Sequence, residues 1–253
     1  YRSKLRFLVT NLPHPFAIML LHYLLALGCV FVWGCTFISS KILLQAGLQP
    51  VDILLLRFGM AYLLLLPFYR KHLRLPSWKD EAWMIFLGIT GGSLYFLTEN
   101  TAIKYTLTTN ASLIVSLTPL YTMLLMRVVK RKSTRLSSRM LIGSLLAVIG
   151  VFSVVMNGHI LLELNPLGDF LSLLSGLCWS FYSLAYCYVA QKWSALLITR
   201  KLFFWGFITA IPFAFAESSL SHASLAFAQP VVWGNLLFLG IVASLLCFFG
   251  WNV

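Results

Sequence analysis

The chain has 253 residues, of which 60% are hydrophobic and only 10% charged, with a formal net charge of +12. Soluble domains carry about 25% charged residues, so a water-solvated globule is excluded and lipid is the expected solvent for most of this surface. The apolar runs are long and continuous rather than alternating, which selects helices over a closed barrel. The expected fold class is therefore an all-α polytopic membrane protein.

In chain order, residues 1–21 form an N-terminal arm carrying Arg2, Lys4 and Arg6, with no cleavable signal pattern; the missing initiator Met suggests a trimmed start. Eight apolar spans follow, near 22–44, 52–69, 83–104, 106–126, 140–156, 167–190, 199–216 and 233–253. Most reach the roughly 17–25 residues that a bilayer requires. Pro119 interrupts the fourth span and is a candidate hinge. Cys29, Cys35, Cys178, Cys187 and Cys247 all fall inside apolar runs and read as packing residues rather than disulfides or metal ligands.

The loops alternate in charge. Basic residues cluster in the N-terminal arm, in Arg70–Lys79, in Arg127–Arg139 and in Lys192–Lys201. The intervening loops near 45–51, 157–166 and 217–232 have none, and the one after span three has only Lys104. This is the positive-inside pattern with a cytoplasmic N-terminus in the cell (plasma) membrane. It explains the net charge by topology, and no nucleic-acid partner is expected.

Two segments repeat. Leu87–Thr101 reads LGITGGSLYFLTENT and Leu239–Val253 reads LGIVASLLCFFGWNV, so that Gly88 aligns with Gly240, Gly92 with Ser244, Phe96 with Phe248 and Asn100 with Asn252. Trp33-Gly34 in the first span similarly resembles Trp179-Ser180 in the sixth. Five spans separate the copies, so the second enters from the opposite face, which gives an inverted-topology repeat. The expected organisation is a first five-helix repeat over 22–156, an extracytoplasmic loop at 157–166 and an incomplete second repeat over 167–253, three helices of five. The chain thus reads as eight helices of a ten-helix, C-terminally truncated protein.

The sequence resembles the drug/metabolite transporter superfamily, specifically the EamA-type permeases of two five-helix repeats. The matching residues are Trp33-Gly34 with Lys41, Arg57 followed by Ala61, Asn100 through Thr106, Ala111 through Ile114, Pro119, and Gly143 with Gly150. The resemblance implies a secondary transporter that exports amino acids, drugs or similar small metabolites, without a cofactor.

Ionisable groups inside a bilayer are costly and are functional candidates by default. Counting 1.5 Å per residue places Lys41, Arg57 and Glu99 at one depth, about 6–8 Å below the outer boundary. Asn100 and Asn110 share that level. The expected pairing is Lys41 or Arg57 with Glu99, either as a site for an anionic substrate group or as a structural ion pair. Glu99 is also the best candidate for coupling to a proton. Trp33, Tyr95, Tyr121, Trp179, Tyr182 and Asn252 complete the candidate substrate cavity, while Trp83, Trp193 and Trp233 fit an interfacial belt. Gly88, Gly92, Gly240 and Ser244 are expected at close helix contacts.

The competing classes are weaker. His-Glu-x-x-His, Gly-x-Ser-x-Gly and the Gly-x-x-x-x-Gly-Lys-[Ser/Thr] loop are all missing, which argues against an enzyme or an ATPase. A receptor or scaffold module would not need an inverted repeat. The expected function is alternating-access transport of a small organic metabolite, with the bilayer and that metabolite as partners.

Overall fold

The computed structural model describes residues 15–68, 75–129, 138–156, 165–216 and 226–252. The start of the N-terminal arm, most of the expected loop at 157–166, and the basic residues Arg70, Lys71, Arg74 and Lys130 to Arg135 lie outside these. The described residues are helical, with no strand among them. The helices are α1 (Pro15–Gln45), α2 (Pro50–Leu65), α3 (Trp78–Gly88), α4 (Leu94–Tyr105), α5 (Thr108–Ser116), α6 (Thr118–Val129), α7 (Ser138–Met156), α8 (Pro166–Val189), α9 (Ala195–Ala216), α10 (Pro230–Leu237) and α11 (Cys247–Asn252). A π-helical segment, Ile89–Ser93, joins α3 to α4, and a second, Phe238–Leu246, joins α10 to α11.

The helix ends follow local chemistry. Proline opens α2, α8 and α10 at a position where no backbone N–H is needed. The Asn165 side chain accepts from the Gly168 N–H at 3.1 Å and so caps α8. Asp52 accepts from the Gln49 N–H at the start of α2. At the end of α1, Gly47 has φ of 102°. Leu48 N–H reaches Leu43 O, and Gly47 N–H reaches Leu44 O. This is a Schellman turn, which needs the left-handed conformation that glycine adopts without steric cost.

Helix lies within each expected apolar span, and among the described residues length and apolarity single out five stretches able to cross a membrane: Met19–Gln45, Thr108–Val129, Pro166–Val189, Ala195–Ala216 and Pro230–Asn252. The second span fails on length, because α2 ends after 16 residues. The third carries a π turn at Ile89–Ser93. The fourth, Thr108–Val129, is one of the five, with a break at Leu117 between α5 and α6, two residues before Pro119.

The packing is layered. One core joins α2, α3, α4, α8, α9 and α11 around Phe58, Phe96, Tyr182, Phe203 and Phe248, and a second joins α1, α2, α10 and the second π segment around Leu43, Ile53, Leu236 and Leu239. Large apolar side chains also face outward, among them Phe31, Leu63 and Phe215, which is 83% exposed. Water would oppose such a surface and lipid tails would not. The protein is thus an all-helical, multi-pass membrane protein.

Glycines set two close crossings. A Cβ at Gly88 would lie 2.4 Å from Trp205 Cβ in α9, and one at Gly92 would lie 3.1 Å from the Gly206 Cα. At Gly240 it would lie 2.5 Å from Met60 in α2. At Gly88 and Gly92 the close neighbour includes the α9 backbone, while at Gly240 it is the Met60 side chain.

Candidate functional site

The interior where α1, α2, α4, α8 and α11 meet is aromatic. Trp33 contacts Trp179 edge to face at 5.5 Å and also touches Phe248 and Trp251. Trp179 in turn contacts Tyr95 and Tyr182, each at 5.0 Å. The Trp33 indole N–H donates to the Ala243 carbonyl at 3.1 Å, inside the second π segment. π winding displaces backbone hydrogen bonds from their α-helical register, and the indole of α1 supplies one of the bonds to that stretch.

Polar groups are buried beside these rings. Arg57, 1% exposed, donates through Nε to Ser244 Oγ at 2.9 Å, and its guanidinium lies 4.0 Å from the centre of the Phe96 ring. Tyr95 donates its hydroxyl to Glu99 Oε1 at 2.6 Å. Arg57 Nη1 and both side-chain polar atoms of Asn100 are buried without a protein hydrogen-bond partner. Asn100 lies one helical turn beyond Phe96 on the same side of α4. Tyr182 donates to Asn252 Oδ1 at 3.3 Å, and the Asn252 amide donates to Thr199 Oγ1 at 3.0 Å.

Neither Lys41 nor Arg57 makes an ion-pair contact with Glu99, although Arg57 lies near enough for the two charges to act on each other. The ion pairs among the described residues are Lys192 with Asp80 and Lys201 with Glu81. Lys41 instead donates to the Ile103 carbonyl at 2.7 Å, where it satisfies the last turn of α4. A free helix-end carbonyl was nearer than the carboxylate, which is a matter of tertiary approach. Asn110 is buried at the start of α5. Tyr121 stands apart from the rings and packs on Gly176 of α8, where a Cβ would come within 2.8 Å of its ring.

A second polar cluster was misread from sequence. Arg200 and Lys201, expected in a loop, lie in the second turn of α9 and are 2% and 3% exposed. Glu81 at the start of α3 accepts from Lys201 Nζ at 2.5 Å, from Trp205 Nε1 at 2.8 Å and from the Leu75 N–H at 3.1 Å. Glu81 precedes the apolar run that begins at Trp83. Burial pushes its carboxyl up, but the hydrogen bonds from Lys201, Trp205 and Leu75 and the ammonium charge outweigh this and hold it below the usual 4.5. The one sequence signal was a carboxylate two residues before the span at 83, at the end of a loop rich in Lys and Arg, and many exposed loops share that pattern.

The cavities among the described residues include two of note. One, of about 730 Å³, is lined by Tyr62, Leu75, Pro76, Trp78, Glu81, Arg200, Lys201, Phe204 and Trp205. The other, of about 270 Å³, lies beside Asp80, Trp83 and Lys192. Neither is lined by Trp33, Tyr95, Glu99 or their neighbours, whose side chains pack against one another.

The profile of the EamA-like transporter family matches residues 20–156. An uncharacterized transporter of Archaeoglobus fulgidus is 29% identical over 239 residues, covering 91% of this chain and 78% of that protein. The uncharacterized transporter YyaM of Bacillus subtilis is 27% identical over 244 residues, covering 91% and 76%. A solved crystal structure at 20% identity has a TM-score of 0.67 and covers 91% of this chain and 77% of its own, a likeness of fold.

Proposed function

The chain belongs to the EamA-like transporter family, and we propose from that premise that this membrane transporter moves a small organic metabolite by alternating access. The observation that carries this reading is the incompletely satisfied polar group in the interior. Arg57 Nη1 and the Asn100 amide are buried without protein partners, next to the Tyr95–Glu99 pair and the Trp33–Trp179 wall. Orphaned donors inside a bilayer protein cost about 1–3 kcal/mol each, and a substrate carboxylate would recover that. The aromatic faces suit an apolar or aromatic body, so an amino acid or a similar drug-like amphiphile fits.

The two π segments support the repeat. With Gly88 laid on Gly240, the π turn at Ile89–Ser93 falls within Phe238–Leu246, and Gly92 falls on Ser244, the partner of Arg57. The reading is two inverted repeats over 22–156 and 167–253, crossing a plasma membrane eight times from a cytoplasmic N-terminus. The substrate would sit between Trp33, Arg57, Tyr95, Glu99, Asn100, Trp179 and Tyr182, with Glu99 responsive to a proton. Gly88, Gly92, Gly240 and Pro119 would then be the positions that accommodate rocking.

The test is efflux from proteoliposomes loaded with a mixture of amino acids and aromatic metabolites. Glu99→Gln, Asn100→Ala and Trp33→Ala should each reduce movement of the transported compound by about tenfold or more, with the folded yield retained. Unchanged transport in all three would overturn the assignment of the site.

A further inference from the structure

At the end of the bundle where α3 and α9 begin, charge ties the two halves of the chain together. Asp80 and Glu81 are consecutive in the first turn of α3, and each meets a lysine of the second half. Asp80 pairs with Lys192, just past the end of α8, and Glu81 pairs with Lys201 in α9. The Trp205 indole N–H also donates to Glu81 Oε1 at 2.8 Å, so this carboxylate holds two successive turns of α9. Farther along, Gly88 and Gly92 lie against Trp205 and Gly206. Ser93 Oγ then shares a hydrogen bond with Thr209 Oγ1 of α9 at 2.8 Å. At the opposite end of α4, Thr106 donates to Asp169 of α8 at 2.8 Å, a contact with no cation in it.

A buried ion pair suits a contact that must break and remake. The desolvation that pairing requires nearly balances the attraction, so separation is cheap where water can reach both charges. An apolar seal is different, because opening it exposes apolar faces to water. The larger cavity lies beside the pair, with Glu81, Lys201 and Trp205 in its wall. Behind the pair, Gly91 of the first π segment packs on the Tyr182 ring and Gly92 on Phe58, both in the aromatic core. We propose that Asp80 and Glu81 form an ionic lock between α3 and the second half, and that its release opens a path from the cavity along Gly88–Ser93 toward the aromatic interior. The lock rests on the alternating-access reading, in which one repeat rocks against the other.

The experiment places a reporter behind the lock. Ser93, 3% exposed, is replaced by cysteine. The purified protein in detergent is treated with a water-soluble maleimide, and peptide mass spectrometry reads each cysteine separately. Ser93→Cys alone should label slowly. Adding Asp80→Asn with Glu81→Gln should speed its labelling by about tenfold or more, through a larger open population. Cys29 and Cys247, each 6% exposed where α1 meets α11, should stay as slow as before. Lys192→Glu, on a side chain 60% exposed, is a milder second variant that should also speed the reporter. Adding Asp80→Lys to it should return the rate toward that of Ser93→Cys alone, by restoring opposite charges. A reporter rate unchanged in both variants would overturn the lock. Equal acceleration at Ser93→Cys, Cys29 and Cys247 would also overturn it, because the pairs would then hold the whole fold rather than one end. The transport reading fails by a different result: a lock that opens in a protein that moves none of the loaded metabolites.

Discussion

Replacing Lys201 by Met isolates the buried ion pair of α3 and α9. In the wild type, Glu81 accepts from Lys201, Trp205 and Leu75, and the Glu81 and Lys201 side chains are 8% and 3% exposed. The substitution keeps the length and the apolar stem of the side chain and removes the charge. It leaves a buried carboxylate held by two neutral donors. Breaking a buried pair in this way costs about 3–5 kcal/mol, mostly because the remaining charge is uncompensated. For a chain of this size each kcal/mol lowers Tm by about 2–4 °C, so the loss is roughly 6–20 °C. Glu81→Gln in the same background should recover most of it, because the orphaned charge is gone while an acceptor for Trp205 or Leu75 remains. Thermal unfolding of the four proteins in detergent, followed by tryptophan emission, gives the cycle. A Lys201→Met protein within 2 °C of wild type, or a double variant no better than the sum of the singles, would refute the reasoning.

Three further outcomes follow from the same structure. Gly91→Val should destabilise by about 1–3 kcal/mol or lower the folded yield, because its Cβ would meet the Tyr182 ring at 2.4 Å and Tyr182 is 2% exposed. Gly34→Ala, with nothing within 4 Å of the new Cβ, should be neutral or slightly stabilising by size-exclusion yield and Tm. The folded Glu81 carboxyl titrates below its ordinary 4.5, so its contribution to stability is complete above that pH and is lost as the pH falls through the depressed value. Melting curves between about pH 7 and pH 3.5 should therefore drop more steeply for the wild type than for Glu81→Gln. Parallel curves would remove Glu81 from the account.

Much of the membrane architecture was legible in the chain. Apolar runs of bilayer length need no partner to become helical, because lipid leaves the backbone no other donor or acceptor. Gly88, Gly92 and Gly240 were legible as contact residues because only a missing Cβ permits such close approach. Trp33 and Trp179, candidates from their similar sequence surroundings, have rings 5.5 Å apart. The charged groups were not legible in the same way. Lys41 and Glu99 were expected at one depth, yet Lys41 takes a helix-end carbonyl and Glu99 a tyrosine hydroxyl.

Sequence by itself determined the solvent of this protein and its helical class, since these follow from composition and periodicity along the chain. Tertiary structure alone decided which charges meet. Arg200 and Lys201 look like loop residues until α9 starts at Ala195 and carries them inward, where Glu81 of α3 faces Lys201. The physical reason is range. Hydrophobic burial acts on whole segments, while an ion pair or hydrogen bond depends on a few ångströms of approach between helices more than a hundred residues apart in the chain.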